Sequence, residues 1–299
     1  IDDYPLMVTA GIIALTVALP IVLRTRPILP TASREQLRSM SKDAVKETFS
    51  HQGWRLTAAF ANKCEACISP SNHLARILVD EGGLTAPCYV RPNGINTSLY
   101  RDAAPQDSPV EKRPGERFII SVARLSPEKR QKALIEAMPH IPDNRIKLVL
   151  VGGGPYENEL RMRAAELGVT GRVIFTGMQP SDKVASLLKQ ADVFSLASYH
   201  FDNQPMTFLE AASSGLPIVY CDEQMTEGLT ERNSVLADGI EGEDLARAFN
   251  GLFSDPERLE RLSLGSLDVA RDFDSTTMAE RMVGLYESLI RDHRALPYR

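Results

Sequence analysis

Cysteine is sparse and irregularly placed. Cys64, Cys67, Cys88 and Cys221 are the only four in 299 residues, which excludes a disulfide framework and suits a reducing compartment. Metal-ligand patterns are missing too. No H-x3-H, no paired-Asp triad and no second C-x2-C accompany the C-E-A-C of Cys64 and Cys67, so no metal is expected. That pair reads as two small core residues at the start of a strand. Cys88 and Cys221 read as core at strand ends. Positive charge is not in excess. A net charge of −5, from 34 Lys and Arg against 39 Asp and Glu, argues against nucleic acid as the main partner. It leaves a nucleotide open, because local Arg and Lys decide such a site. No internal repeat or low-complexity tract occurs. The 43% hydrophobic and 24% charged content suits a soluble globular protein, and the length admits two α/β domains.

Charge is absent altogether from Tyr4 to Leu23. The run is long enough to span a bilayer, but Thr9, Gly11, Thr16 and Pro20 interrupt it. Leu19 to Leu23 reads as a buried strand after a short helix, and a helix–strand pair is the reading taken. A cleaved signal peptide would need a basic start, whereas Asp2 and Asp3 are acidic. Starting at Ile1 without a Gly-rich turn or first strand, the sequence reads as a piece of a longer chain.

From 117 onward strands and helices alternate. Strands are expected at Arg117–Val122, Ile146–Val151, Val173–Thr176, Val193–Leu196 and Pro217–Tyr220. Helices are expected at Gln131–Met138, Tyr156–Leu167 with Gly168 at its C-cap, and Ser181–Gln190 with Ser181 as N-cap. Apolar strands separated by amphipathic helices specify a doubly wound parallel sheet. The same grammar precedes 100. Leu19–Thr25, Ala66–Ile68 and Cys88–Arg91 read as strands, and Ser71–Glu81 as a helix capped by Ser71. Pro92-Asn93-Gly94 is a turn, and the polar, Pro-rich 102–116 reads as an exposed linker. The tail from Glu241 is helical, with apolar residues at helical spacing over Thr276–Ile290.

Two patterns carry chemistry. Arg124 and Lys129, in S-V-A-R-L-S-P-E-K, leave a strand's carboxyl end, where open parallel sheets bind ligands. A planar guanidinium and an ammonium there suit a diphosphate. Asp202 stands eight residues before Glu210 in F-D-N-Q-P-M-T-F-L-E. A carboxylate early in a helix can accept from a ribose diol, and the N–H groups at the helix start can hold a phosphate. The run Gly152-Gly153-Gly154-Pro155 lacks the third glycine of G-x-G-x-x-G and reads as a tight turn. His200 reads as a polar loop residue, and His73 and His140 as surface residues.

S-V-A-R-L-S-P-E-K, L-V-G-G-G-P-Y-E-N-E-L, V-I-F-T-G and the D-x7-E helix occur in this order. Over 117–290 they resemble the C-terminal domain of the retaining family 4 glycosyltransferases (group 1) of GT-B fold. More weakly, C-I-S-P-S-N-H-L-A and V-R-P-N-G-I-N resemble the end of that family's N-terminal domain. The resemblance implies two Rossmann-like doubly wound domains, the first incomplete: 1–97 on the acceptor side, a linker at 98–116, a nucleotide-sugar-binding domain at 117–275, and a C-terminal helix at 276–299 packing back.

It also implies roles for single residues. Arg124 and Lys129 would bind the donor diphosphate and Glu210 the ribose hydroxyls. Asp202, with the backbone of Asn203, Gln204, Pro205, Met206 and Thr207, would contact sugar and phosphates. Phe175, Thr176 and Gly177 would lie near the base. Asp202 departs from the family's usual Glu, and Asn-Gln-Pro at 203–205 from its frequent Gly-Phe-Gly. The family's N-terminal His has no match near Asp2, Asp3 and Arg26. The implied activity is metal-independent hexosyl transfer from a UDP- or GDP-sugar, with no cofactor, to a glycan or lipid acceptor. The implied place is the cytoplasm, with peripheral contact at the inner face of the membrane. A non-catalytic nucleotide-sugar-binding fragment and a GT-B epimerase are the alternatives.

Overall fold

Runs of aliphatic residues buried on both sides must lie in a sheet covered on both faces. The computed structural model describes residues 42–295, and the side chains of 52–291. The expectations for Tyr4–Leu23 and Leu19–Thr25 lie outside the described residues. These form two compact units, 42–64 with 77–85, and 65–76 with 86–295.

The early elements are α1 (Lys42–Ala61), β1 (Cys67–Ser69), α2 (Asn72–Asp80), β2 (Cys88–Val90) and α3 (Thr97–Arg101). In the first unit Asn62 fastens the turn after α2. Its Oδ1 accepts from the Thr85 N–H at 2.6 Å and its Nδ2 donates to the Gly83 carbonyl at 3.1 Å. In the second unit β1 and β2 pair in parallel, Cys67 opposite Cys88. Ser71 caps α2, its Oγ accepting from the Leu74 N–H at 3.2 Å. Ser71→Ala is expected to cost about 1 kcal/mol in urea denaturation; an unmoved midpoint would remove this role.

The sheet of the second unit contains β3 (Arg117–Val122), β4 (Ile146–Val151), β5 (Val173–Gly177), β6 (Val193–Leu196), β7 (Ile218–Tyr220) and β8 (Ser234–Leu236). Every pairing is parallel, in the order β5-β4-β3-β6-β7-β8. The helices are α4 (Gln131–Ala137), α5 (Glu157–Glu166), α6 (Ser181–Gln190), α7 (Met206–Ser213), α8 (Gly242–Phe253), α9 (Pro256–Arg271) and α10 (Ser275–Ala295). Leu134 of α4, Leu160 of α5 and Phe249 of α8 bury one face with Ile119 and Leu148. Leu187 of α6, Phe208 of α7 and Tyr100 of α3 bury the other with Phe118 and Ile120. This is the doubly wound α/β sheet the periodicity specifies. Its order reverses between β3 and β6, and that switch point opens a crevice at the carboxyl ends of the strands.

Several local expectations need correction. Ser181 is the first helical residue of α6, and Pro180 holds the N-cap without a side-chain bond. The Pro180 carbonyl accepts from the Val184 N–H at 2.9 Å, so the first turn closes one residue earlier. Cys64 is exposed and Cys67 half-buried, and only Cys67 is in the strand. Cys88 is half-buried, because its two-stranded sheet is thinly covered, whereas Cys221 is core. The 102–116 stretch is irregular but fastened: Lys112 Nζ meets Asp192 Oδ2 at 2.6 Å and the Gln190 carbonyl at 2.9 Å.

Candidate functional site

The loops leaving β3 and β6 flank the switch point. The β3 loop is shaped from beside it by the glycines after β4. A Cβ on Gly152 would stand 2.1 Å from the Ala123 carbonyl oxygen, and one on Gly154 2.1 Å from that of Leu125. Main chain therefore lies on main chain. The Leu125 N–H donates to the Gly153 carbonyl at 3.1 Å, and the Tyr156 N–H to that of Leu125 at 3.2 Å. The run acts as a tight turn, as read.

Arg124 is exposed on this loop, and its carbonyl accepts from Gln131 Nε2 at 2.8 Å. A 3-10 turn, Pro127–Lys129, follows and ends at Arg130 in the left-handed region, φ 51°. Arg130 donates to the Ile240 carbonyl at 2.8 Å. The turn aims Lys129 at the β6 loop, where Nζ reaches Asp202 Oδ1 at 2.5 Å. The ammonium also lies 5.2 Å from the centre of the Phe201 ring, a cation–π contact. The second oxygen of Asp202, Oδ2, is buried without a partner. A buried acceptor with no donor is costly, so this oxygen suits a ligand hydroxyl.

Glu210 lies on α7 between buried Leu209 and Ala211. No side chain caps the start of α7 at Pro205, which leaves the positive end of the helix dipole to a ligand. Burial pushes the Glu210 carboxyl up, and the Tyr100 hydroxyl facing it draws it partly back. Burial and Glu210 together push the Tyr100 phenol up.

Of the other expected residues, Asn203 is exposed and Met206 and Thr207 are half-buried at the start of α7. The amide of Gln204 is engaged by Asn93. Phe175 packs against the core of the helical layer, with the Arg161 guanidinium 4.2 Å from its ring centre. Thr176 donates to the Gly177 carbonyl at 3.0 Å, and that carbonyl accepts from the Gly152 N–H at 2.9 Å. His200 stacks on Tyr199, with centroids 3.9 Å apart. Its N–H donates to Asp222 Oδ2 at 2.7 Å.

Asn93, Tyr100 and Asp222 escaped the sequence reading. Only contacts distant in the chain reveal them. Burial pushes the Cys221 thiol up to about 11, which makes it a poor nucleophile. Among the described residues no group of His, Cys, Asp and Glu could hold a metal, and no helix is long and apolar enough to cross a membrane.

Known proteins resemble this chain in sequence and fold. The alpha-monoglucosyldiacylglycerol synthase of Streptococcus pneumoniae is 28% identical over 236 residues, 76% of this chain and 50% of that protein. The GDP-mannose-dependent alpha-(1-6)-phosphatidylinositol monomannoside mannosyltransferase of Mycolicibacterium smegmatis is 26% identical over 265 residues, 79% of this chain and 67% of that one. The crystal structure of Anabaena HepE in complex with UDP and glucose superposes with a TM-score of 0.71 at 23% identity, covering 81% of this chain and 69% of that one. The fold is thus of GT-B type, and the chain spans about half the length of the first of these relatives. The family model for glycosyl transferases group 1 matches residues 103–265, more than half of the chain, and the chain belongs to that family.

Proposed function

We propose that the chain serves a retaining, metal-independent glycosyltransferase that moves a sugar from a UDP- or GDP-sugar to a hydroxyl of a glycan or lipid acceptor. The observation that carries this reading is the Lys129–Asp202 pair at the switch point, with one Asp202 oxygen buried and unpartnered. In this reading residues 117–275 serve as the donor-binding domain, those before 98 as the acceptor side, 98–116 as the linker, and α10 as the C-terminal helix. Relatives named for glucosyldiacylglycerol and phosphatidylinositol mannoside favour a lipid-linked acceptor, and with it we place the enzyme in the cytoplasm, at the inner face of the membrane.

Glu210 accepts from the ribose hydroxyls. Arg124 and Lys129 face the diphosphate, a fork and a point charge on the leaving group. The free oxygen of Asp202 accepts from a sugar hydroxyl. The acceptor hydroxyl attacks the anomeric carbon from the face that the diphosphate leaves. As the bond to the phosphate oxygen breaks, that oxygen takes the acceptor's proton, and the cations stabilise the charge that develops. The backbone at 175–177 borders the base, and 203–207 borders the phosphates and sugar.

Arg124 supplies the test. Arg124→Ala is expected to weaken UDP and GDP by about tenfold or more in calorimetry, and uridine and guanosine hardly at all. Equal losses for diphosphate and nucleoside would mean that the residue only supports the loop.

A further inference from the structure

The stretch between Asp202 and α7 has few means of holding itself. Asn203 is exposed, and Pro205 has no N–H to give. Its Pro205 carbonyl accepts from the Phe208 N–H at 3.1 Å at the helix start, and the loop's other ties come earlier, from His200 to Asp222 and from Asp202 to Lys129.

Gln204 reaches away from these, to the turn after β2. Its Oε1 accepts from the Asn93 N–H at 2.8 Å and from Asn93 Nδ2 at 3.0 Å. Its Nε2 donates to the Asn93 carbonyl at 3.1 Å. The side-chain amide thus reads both main-chain groups of residue 93, as a neighbouring strand would. Residue 93 is itself a fixed post. Two positions on, the Ile95 N–H donates to the Phe273 carbonyl at 2.9 Å, and the Ser275 N–H donates to the Ile95 carbonyl at 2.8 Å. Thr97 Oγ1 donates to Asp274 Oδ2 at 2.6 Å.

We infer that Gln204 is a positioning residue. Its amide docks on the main chain of residue 93 and holds the loop so that the unpartnered Asp202 oxygen stands preset for the sugar of the donor. This rests on the glycosyltransferase reading and adds to it. The side chain of Gln204 serves recognition of the sugar, not of the nucleotide, and does so without itself touching the ligand. Pre-set geometry of this kind lowers the ordering cost of binding.

The test is calorimetry of UDP, GDP, UDP-glucose and GDP-mannose on the full chain, as parent, Gln204→Met, Gln204→Glu, Asn93→Ala and the Gln204→Met/Asn93→Ala double variant. Gln204→Met keeps the length and loses all three bonds. It should weaken the preferred nucleotide sugar about tenfold and leave UDP and GDP within about twofold. Gln204→Glu keeps the acceptor and should recover to within about threefold of the parent. Asn93→Ala removes one bond and should cost about threefold alone but nothing further in the Gln204→Met background. Melting temperatures should stay together, since Asn93 is exposed and Gln204 half-exposed. Equal weakening of nucleotide and nucleotide sugar overturns the inference. So does a threefold cost of Asn93→Ala that persists in the double variant, which would mean that Gln204 touches the ligand itself. A Gln204→Met variant that binds the sugar donor like the parent also overturns it. A parent that binds none of the four ligands overturns the glycosyltransferase reading first, and this one with it.

Discussion

A Glu210→Gln variant is expected to bind UDP or GDP at least tenfold more weakly in calorimetry, while its free form melts no lower than the parent. The two effects have one cause. Hydrogen bonds to a charged acceptor contribute about 1.5–3 kcal/mol, and the ribose loses them when the carboxylate becomes an amide. The free protein, however, keeps a carboxylate that burial disfavours, and the amide removes that cost. Acid should reproduce the contrast. The folded state raises the carboxyl above its unfolded value, so the stability contribution of Glu210 is full below the unfolded value and is lost as pH rises through the folded one. Affinity runs the other way and falls as pH drops, starting above the ordinary carboxylate range. Unchanged nucleotide affinity in the variant would sink the ribose assignment.

Lys129→Ala is expected to cost about 2–3 kcal/mol in urea denaturation and to weaken nucleoside diphosphate far more than nucleoside. Removing one partner of a fully buried pair costs about 3–5 kcal/mol, because a charge is left uncompensated. Here the side chains of Lys129 and Asp202 retain 18% and 13% exposure, and solvent lowers the figure. Asp202 already has one unpartnered oxygen, and the variant leaves it with two. Asp202→Asn in the Lys129→Ala background should therefore restore most of the stability and none of the diphosphate affinity. Independent, additive losses in the two single variants would show that the pair is an incidental surface contact.

The sheet was legible because β3 to β7 are runs rich in apolar residues between turn residues. Arg117–Val122, Ile146–Val151 and Val193–Leu196 fall where the pattern places them. The edge strand β8, Ser234–Leu236, is short and half-exposed, so no apolar run announces it. Helix α3 has five residues, too few for a period to show. The order of motifs set Lys129 toward the diphosphate and Asp202 toward the sugar, but the ion pair that joins them belongs to the fold. The contact between Asn93 and Gln204 was invisible for a plainer reason. Neither stands in a pattern that points to the other, and their bonds join positions 111 residues apart. For Phe175, strand position alone did not say which face its ring takes; its neighbour Arg161 does.

The crossing of the glycine turn over the β3 loop bears on how this site can be exchanged between relatives. The two loops touch through main chain, with no side chain between them to absorb a misfit. A chimera that imports residues 123–130 from a relative while keeping the resident 152–156 must match carbonyl to hydrogen at Gly152 and Gly154, or push the graft off the crevice. The two segments therefore form one transplantable cassette, and donor specificity should travel with the pair and with neither segment alone.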